Sequence, residues 1–96
     1  MKMYFLVYHV KPAINMENSG GLVGAFVSCW IEANSINEAK QIATGEIRLA
    51  KWELLELDDA YEIKKEDYSI DSDGWEFYQQ ALIDKWVLRF HTYTAE

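Results

Sequence analysis

Residues 3–10 read Met-Tyr-Phe-Leu-Val-Tyr-His-Val, and neither alternating set of side chains is polar. β-Branched and aromatic residues in such a run specify a strand, and Pro12 stops it. Met3, Phe5, Val7 and His9 then point to one side, and Tyr4, Leu6, Tyr8 and Val10 to the other. A strand that is apolar on both sides must be covered on both, so it belongs in the middle of a sheet. In a chain of 96 residues there is room for one such sheet and one modest core. The expected organisation is a single α+β domain spanning residues 1–96.

The rest of the chain supplies the partners of that strand. Residues 11–21 hold Pro12, Asn15, Asn18, Ser19, Gly20 and Gly21, a loop composition that is long for a hairpin. Residues 22–33 read as a second strand. Val23, Ala25, Val27, Cys29, Ile31 and Ala33 form a small aliphatic side, and Phe26, Ser28, Trp30 and Glu32 the other. Ser35-Ile36-Asn37-Glu38 matches a capping box, with Glu38 expected to return to the Ser35 amide. The helix it opens carries Ile36, Ala39, Ala43, Ile47 and Ala50 at helical spacing. Gly45 inside it signals either a close backbone approach or a weak helix.

Residues 52–57 fit strand or helix, and a strand suits a layered pattern better. Asp58-Asp59 is expected to turn the chain, with Ala60–Lys64 extended after it or paired as a short strand. Asp73-Gly74-Trp75-Glu76 opens a second helix to about Lys85, with Trp75, Tyr78, Ala81 and Leu82 as its apolar stripe. Trp86 to Tyr93 reads as a final strand, although Leu82, Trp86 and Arg89 also keep helical spacing.

The summed order β-β-α-β-α-β implies a two-layer sandwich, a mainly antiparallel sheet of about four strands with two helices on one face. In its pattern of elements the chain resembles the small ferredoxin-like, or α/β-plait, domains. The resemblance rests on elements and not on a motif, so it implies a fold and transfers no functional residue.

Charge narrows the partners. The formal net charge is −7, and all of it arises in residues 51–96, since the acids and bases of residues 1–50 cancel. Nucleic-acid binding draws on Lys and Arg at phosphates, and an anionic membrane attracts the same residues, so neither partner is expected. The N-terminal apolar run reaches His9 and Lys11 too soon for a signal peptide, and no segment has the ~18 apolar residues of a membrane span. One cysteine, Cys29, excludes a disulfide framework. The expectation is a cytoplasmic protein with a reduced thiol.

No catalytic motif stands out. Ser69 to Gly74 approaches a calcium loop, but Gln80 falls where the bidentate Glu is needed. Cys29, His9 and His91 lack metal-ligand spacing, and Cys29 sits on the aliphatic side of its strand. Glu53, Glu56, Asp58, Asp59 and Glu62 read as a solvated acidic face, and Ser19-Gly20-Gly21 lacks the Lys of a phosphate loop. Neither a metal nor a cofactor is expected, and the lack of a catalytic motif leans against an enzyme without deciding it.

The aromatic surplus remains. With both helices on one face, Phe26 and Trp30, joined by Tyr4, Tyr8, Arg89, His91 and Tyr93, would line the open face as an interface or ligand surface. Self-association into a homodimer through that face is expected, with a basic protein as a second partner for the acidic half. The alternative is a small-ligand binder or enzyme that uses His9, His91, Arg89 or Tyr8 as polar groups beside an aromatic pocket.

Overall fold

The computed structural model describes residues 1–13, 22–68 and 73–94. Its element order is β1 (Lys2–Pro12), β2 (Leu22–Ala33), α1 (Ile36–Leu49), β3 (Trp52–Ile63), α2 (Asp73–Asp84) and β4 (Trp86–Thr94), with a short 3-10 turn at Lys65–Asp67. The four strands form one sheet in the order β3-β1-β2-β4, every neighbouring pair antiparallel. The α+β fold and its β-β-α-β-α-β order are those expected, and β1 is central.

One local expectation changes. Asp58-Asp59 is not a turn: β3 runs on through it, and the register against β1 slips between Val7 and Tyr8 and again between His9 and Val10. The slips absorb the extra residues as bulges, which twist an edge strand away from further pairing. Residues 86–94 are the strand expected from sequence, and the helical alternative is excluded because Lys85 adopts φ 78° and breaks the helix. Lys51 ends α1 in the same left-handed conformation, φ 71°. A tryptophan follows each lysine and starts the next strand.

The helices are where the fold departs from the two-layer plan. β2 ends beside Lys2 and β3 begins beside Pro12, at opposite ends of the sheet. α1 must travel the length between them, and its 14 residues span about 21 Å at 1.5 Å each. It buries Ala39, Ala43 and Ile47 on Tyr4, Leu6, Tyr8, Val10, Ala25, Val27, Cys29 and Ile31. Each large aliphatic side chain removed from water there is worth about 1.5–3 kcal/mol.

β3 and β4 run antiparallel, with β3 ending beside Met3 and β4 starting beside Ile31, at the same end. Their connection therefore stays at that end, and α2 packs Ala81, Phe77 and Tyr78 on Met3, Phe5, Trp30, Ile63 and Val87. These strand residues alternate with the set under α1, so the helices lie on opposite faces. The expected shared face is thus corrected: the sheet has a helix on each side, α1 over the middle of one face and α2 over one end of the other. Only the β2-α1-β3 unit, two parallel strands with β1 between them, matches the ferredoxin-like plan.

The Ser35 hydroxyl accepts from the Glu38 amide at 3.1 Å, as the capping box requires. The return bond is one residue displaced, the Asn34 amide donating to Glu38 Oε1 at 3.1 Å. Gly45 has open space where a Cβ would sit, so no close backbone approach explains it.

Candidate functional site

Antiparallel register turns the α2 side of the sheet into rows that run from β3 through β1 and β2 to β4. The row Tyr61–Phe5–Trp30–Val87 lies at the end that α2 covers. Trp30 is 5% exposed: Phe77 packs 4.8 Å and Phe5 5.0 Å from its ring, and its Nε1–H donates to the Tyr68 hydroxyl at 3.0 Å. Tyr68 itself lies where a side chain on Gly74 would be. Burial is the first cause that raises the Tyr68 phenol pKa, and the Trp30 hydrogen bond opposes it.

Beyond this end the rows are uncovered by either helix. The first is Asp59–Val7–Ser28–Arg89 and the second Glu56–His9–Phe26–His91. Gly24 and Tyr93 pair in the row after that. The His9 and Phe26 rings stack at 4.5 Å with 11° between planes. Tyr93 leans over Gly24, filling the space a Cβ would need, and its hydroxyl lies 2.6 Å from His9 Nε2. A surface of three rings results, two stacked and Tyr93 tilted 33–35° against them, with Phe26 39% and Tyr93 38% exposed.

Charge is divided across this surface. Its β3 side carries the exposed acids Asp59 and Glu56, and its β4 side carries Arg89 and His91. The Arg89 guanidinium also lies 5.1 Å from the Phe77 ring centre, which joins the open rows to the flank of α2. Cation–π contact and the sheet together fix the direction of Arg89.

The structure gathers only part of the set expected from sequence. Phe26, Arg89, His91 and Tyr93 share one surface. Tyr4 and Tyr8 lie on the other side of the sheet, 6% and 5% exposed beneath α1, and so belong to the core. Trp30 shares the side of Phe26 but is roofed by the protein's own α2, not by a partner. His9 is the residue that ties the group together. Sequence names it only as a polar group of the ligand reading, and the hairpin register of β1 and β2 is what sets it among the rings; the role of Gly24 has no signal without that register.

Cys29 lies on the α1 side, away from both histidines, fully buried, and burial pushes its thiol up to about 12. A thiol held protonated is no nucleophile at neutral pH. No cluster of three metal-binding side chains occurs among the described residues. No helix among them is long and apolar enough to cross a membrane. Residues 69–72 of the segment compared with a calcium loop, and the glycine loop at 14–21, lie outside the described residues.

No family model, curated protein sequence or solved structure matches the chain.

Proposed function

We propose that the protein is a small interaction module that forms a homodimer through the uncovered rows on the α2 side of its sheet. The observation that carries this reading is the stacked trio His9, Phe26 and Tyr93, ordered by ring contacts and a hydrogen bond yet presented to solvent. Exposed, preordered aromatic side chains lose little rotamer freedom on binding and are the usual anchors of protein contacts. The acidic edge of β3, with Glu56, Asp58 and Asp59 exposed, is a second surface suited to a basic protein. The cytoplasm is the compartment in this reading, since it keeps a lone thiol reduced.

Sedimentation velocity at micromolar concentrations tests the proposal. The native chain sediments as a dimer, and Phe26→Glu, which puts a charge at the centre of the surface, sediments as a monomer. A native chain that remains a monomer overturns the reading.

The close polar contact between His9 and Tyr93 favours a second reading, a small-ligand site on the same surface. It requires a ligand that raises the melting temperature of the native chain but not of Tyr93→Ala. A broad metabolite screen without any shift removes it.

A further inference from the structure

The open rows need a cover about one helix thick, because α2 stands that far above the sheet beside them. A helix packs about 10 Å from the layer beneath it. A second copy facing the first is related to it by a two-fold axis that runs either along the strands or across them. An axis along the strands sets the covered ends of the two sheets together. The open rows then face each other across an unfilled gap the width of a helix. An axis across the strands sets the covered end of each copy over the open end of the other, and the gap is filled twice, by α2 of each protomer.

The surfaces that meet in the second arrangement match in chemistry. α2 has the sequence Asp-Gly-Trp-Glu-Phe-Tyr-Gln-Gln-Ala-Leu-Ile-Asp, with three acids and no base. Phe77, Tyr78 and Ala81 face its own sheet, so Glu76, Gln79 and Ile83 lie on the outer side, at helical spacings of three and four. Ile83 is 74% exposed, an aliphatic residue with little over it among the described residues. These residues and Gln80 line a shallow groove that begins at Phe77. Because α2 packs on β2 and β4, the half of the partner sheet it meets is the β4 side. That side holds Phe26 and Tyr93 for Ile83, and Arg89 and His91 for Glu76. The opposite, β3 side holds Glu56 and Asp59, which would repel it.

We infer that the dimer partner of this chain is a second copy whose α2 seats its outer side, Glu76 and Ile83, on Phe26, Arg89, His91 and Tyr93. The inference rests on the homodimer reading above and names the mode of contact. Each protomer gives a helix and receives one, so the same contact is made twice, and four layers of α1 and sheet enclose a central pair of α2 helices.

Sedimentation of surface variants separates this inference from the reading beneath it. Ile83→Glu alters only the outside of α2, and circular dichroism unchanged from the native chain establishes that it folds. We expect it to be monomeric, as Phe26→Glu is. Glu76→Arg and Arg89→Glu each weaken dimerisation by about tenfold, and together they restore much of the loss. If Ile83→Glu dimerises like the native chain while Phe26→Glu does not, and the paired charge reversal gives no rescue, the helix-seated mode is wrong and the homodimer stands. If the native chain is a monomer, or Phe26→Glu dimerises as well as it does, both fall.

Discussion

The Tyr93 hydroxyl reaches His9 Nε2, 84 residues away in the chain, by lying over Gly24, which offers no side chain to stop it. Tyr93 and Gly24 are cross-strand partners on β4 and β2, and an aromatic ring over a glycine restores to the sheet the cover that glycine lacks. Gly24→Ala places a methyl group inside the Tyr93 ring and must push the ring away. Because the ring is the outer end of a 38% exposed side chain and can swing aside, the expected loss is below about 1 kcal/mol. Urea unfolding measures it, and a double-mutant cycle with Tyr93→Ala identifies its origin: in that background the alanine costs much less. Equal losses in both backgrounds would place the strain elsewhere.

Gly45 has the opposite character. It lies in the middle of α1, exposed, with nothing within reach of an added Cβ. Gly45→Ala removes backbone entropy from the unfolded chain and costs no space, so stability rises by about 0.5–1 kcal/mol. In a domain of this size, 1 kcal/mol corresponds to about 4–8 °C in melting temperature. A thermal scan in which Gly45→Ala melts no higher than the native chain contradicts this account of the helix.

Lys51 and Lys85 share a left-handed backbone at the two helix ends, but their side chains differ in work. A non-glycine residue in that conformation costs about 1–2 kcal/mol, part of which glycine returns as its own lost entropy. Lys51→Gly therefore stabilises by about 0.5 kcal/mol. Lys85→Gly gains the same backbone relief but deletes the ammonium 2.9 Å from Glu32 Oε1, a carboxylate whose side chain is only 14% exposed. Its stability falls below that of Lys51→Gly by about 1 kcal/mol, the scale of a partly buried charged hydrogen bond. Chemical denaturation of the two variants side by side decides the point.

Much of this architecture is legible in a few residues. The doubly apolar run of residues 3–10 places β1 at the centre of the sheet, and the aliphatic alternation of β2 marks its buried side. The Ser35 cap and the Ala39, Ala43, Ile47 stripe define α1. The same run also held the warning that both sheet sides need cover, which is at odds with two helices on one side. What decides the side of α2 is strand direction: β3 and β4 meet their connection at one end, a long-range fact that local periodicity does not carry. The same holds for the site. Phe26, Arg89, His91 and Tyr93 can be nominated from alternation within single strands. Whether Tyr4 or His9 joins them depends on register between strands, and a shift of one residue exchanges the two. Asp58-Asp59 looked like a turn because two acids in sequence are poor strand formers, yet an edge strand tolerates them as a bulge.

Cys29 links the core of the α1 side to the behaviour of the protein in alkali. Its thiol is fully buried, and burial raises its pKa from the ordinary 9.0 to about 12. The unfolded chain therefore loses this proton near pH 9, whereas the folded chain keeps it to about pH 12. Between these values the unfolded state binds fewer protons, so stability falls as pH rises, by about 1.4 kcal/mol per pH unit for one proton. Burial raises the Tyr8, Tyr61, Tyr68 and Tyr78 phenols as well, and these add a loss of the same sign above pH 10. Urea midpoints taken from pH 8 to pH 11 should fall for the native chain. Cys29→Ala removes the thiol component, so its midpoint stays flatter between pH 9 and pH 10, below the ordinary phenol pKa of 10.0, where the phenols contribute least. The native thiol should also react with an aromatic disulfide reagent at pH 8 only as fast as the chain opens. Prompt reaction in the folded protein, or identical pH profiles for the two chains, would place Cys29 outside the sealed layer between α1 and the sheet.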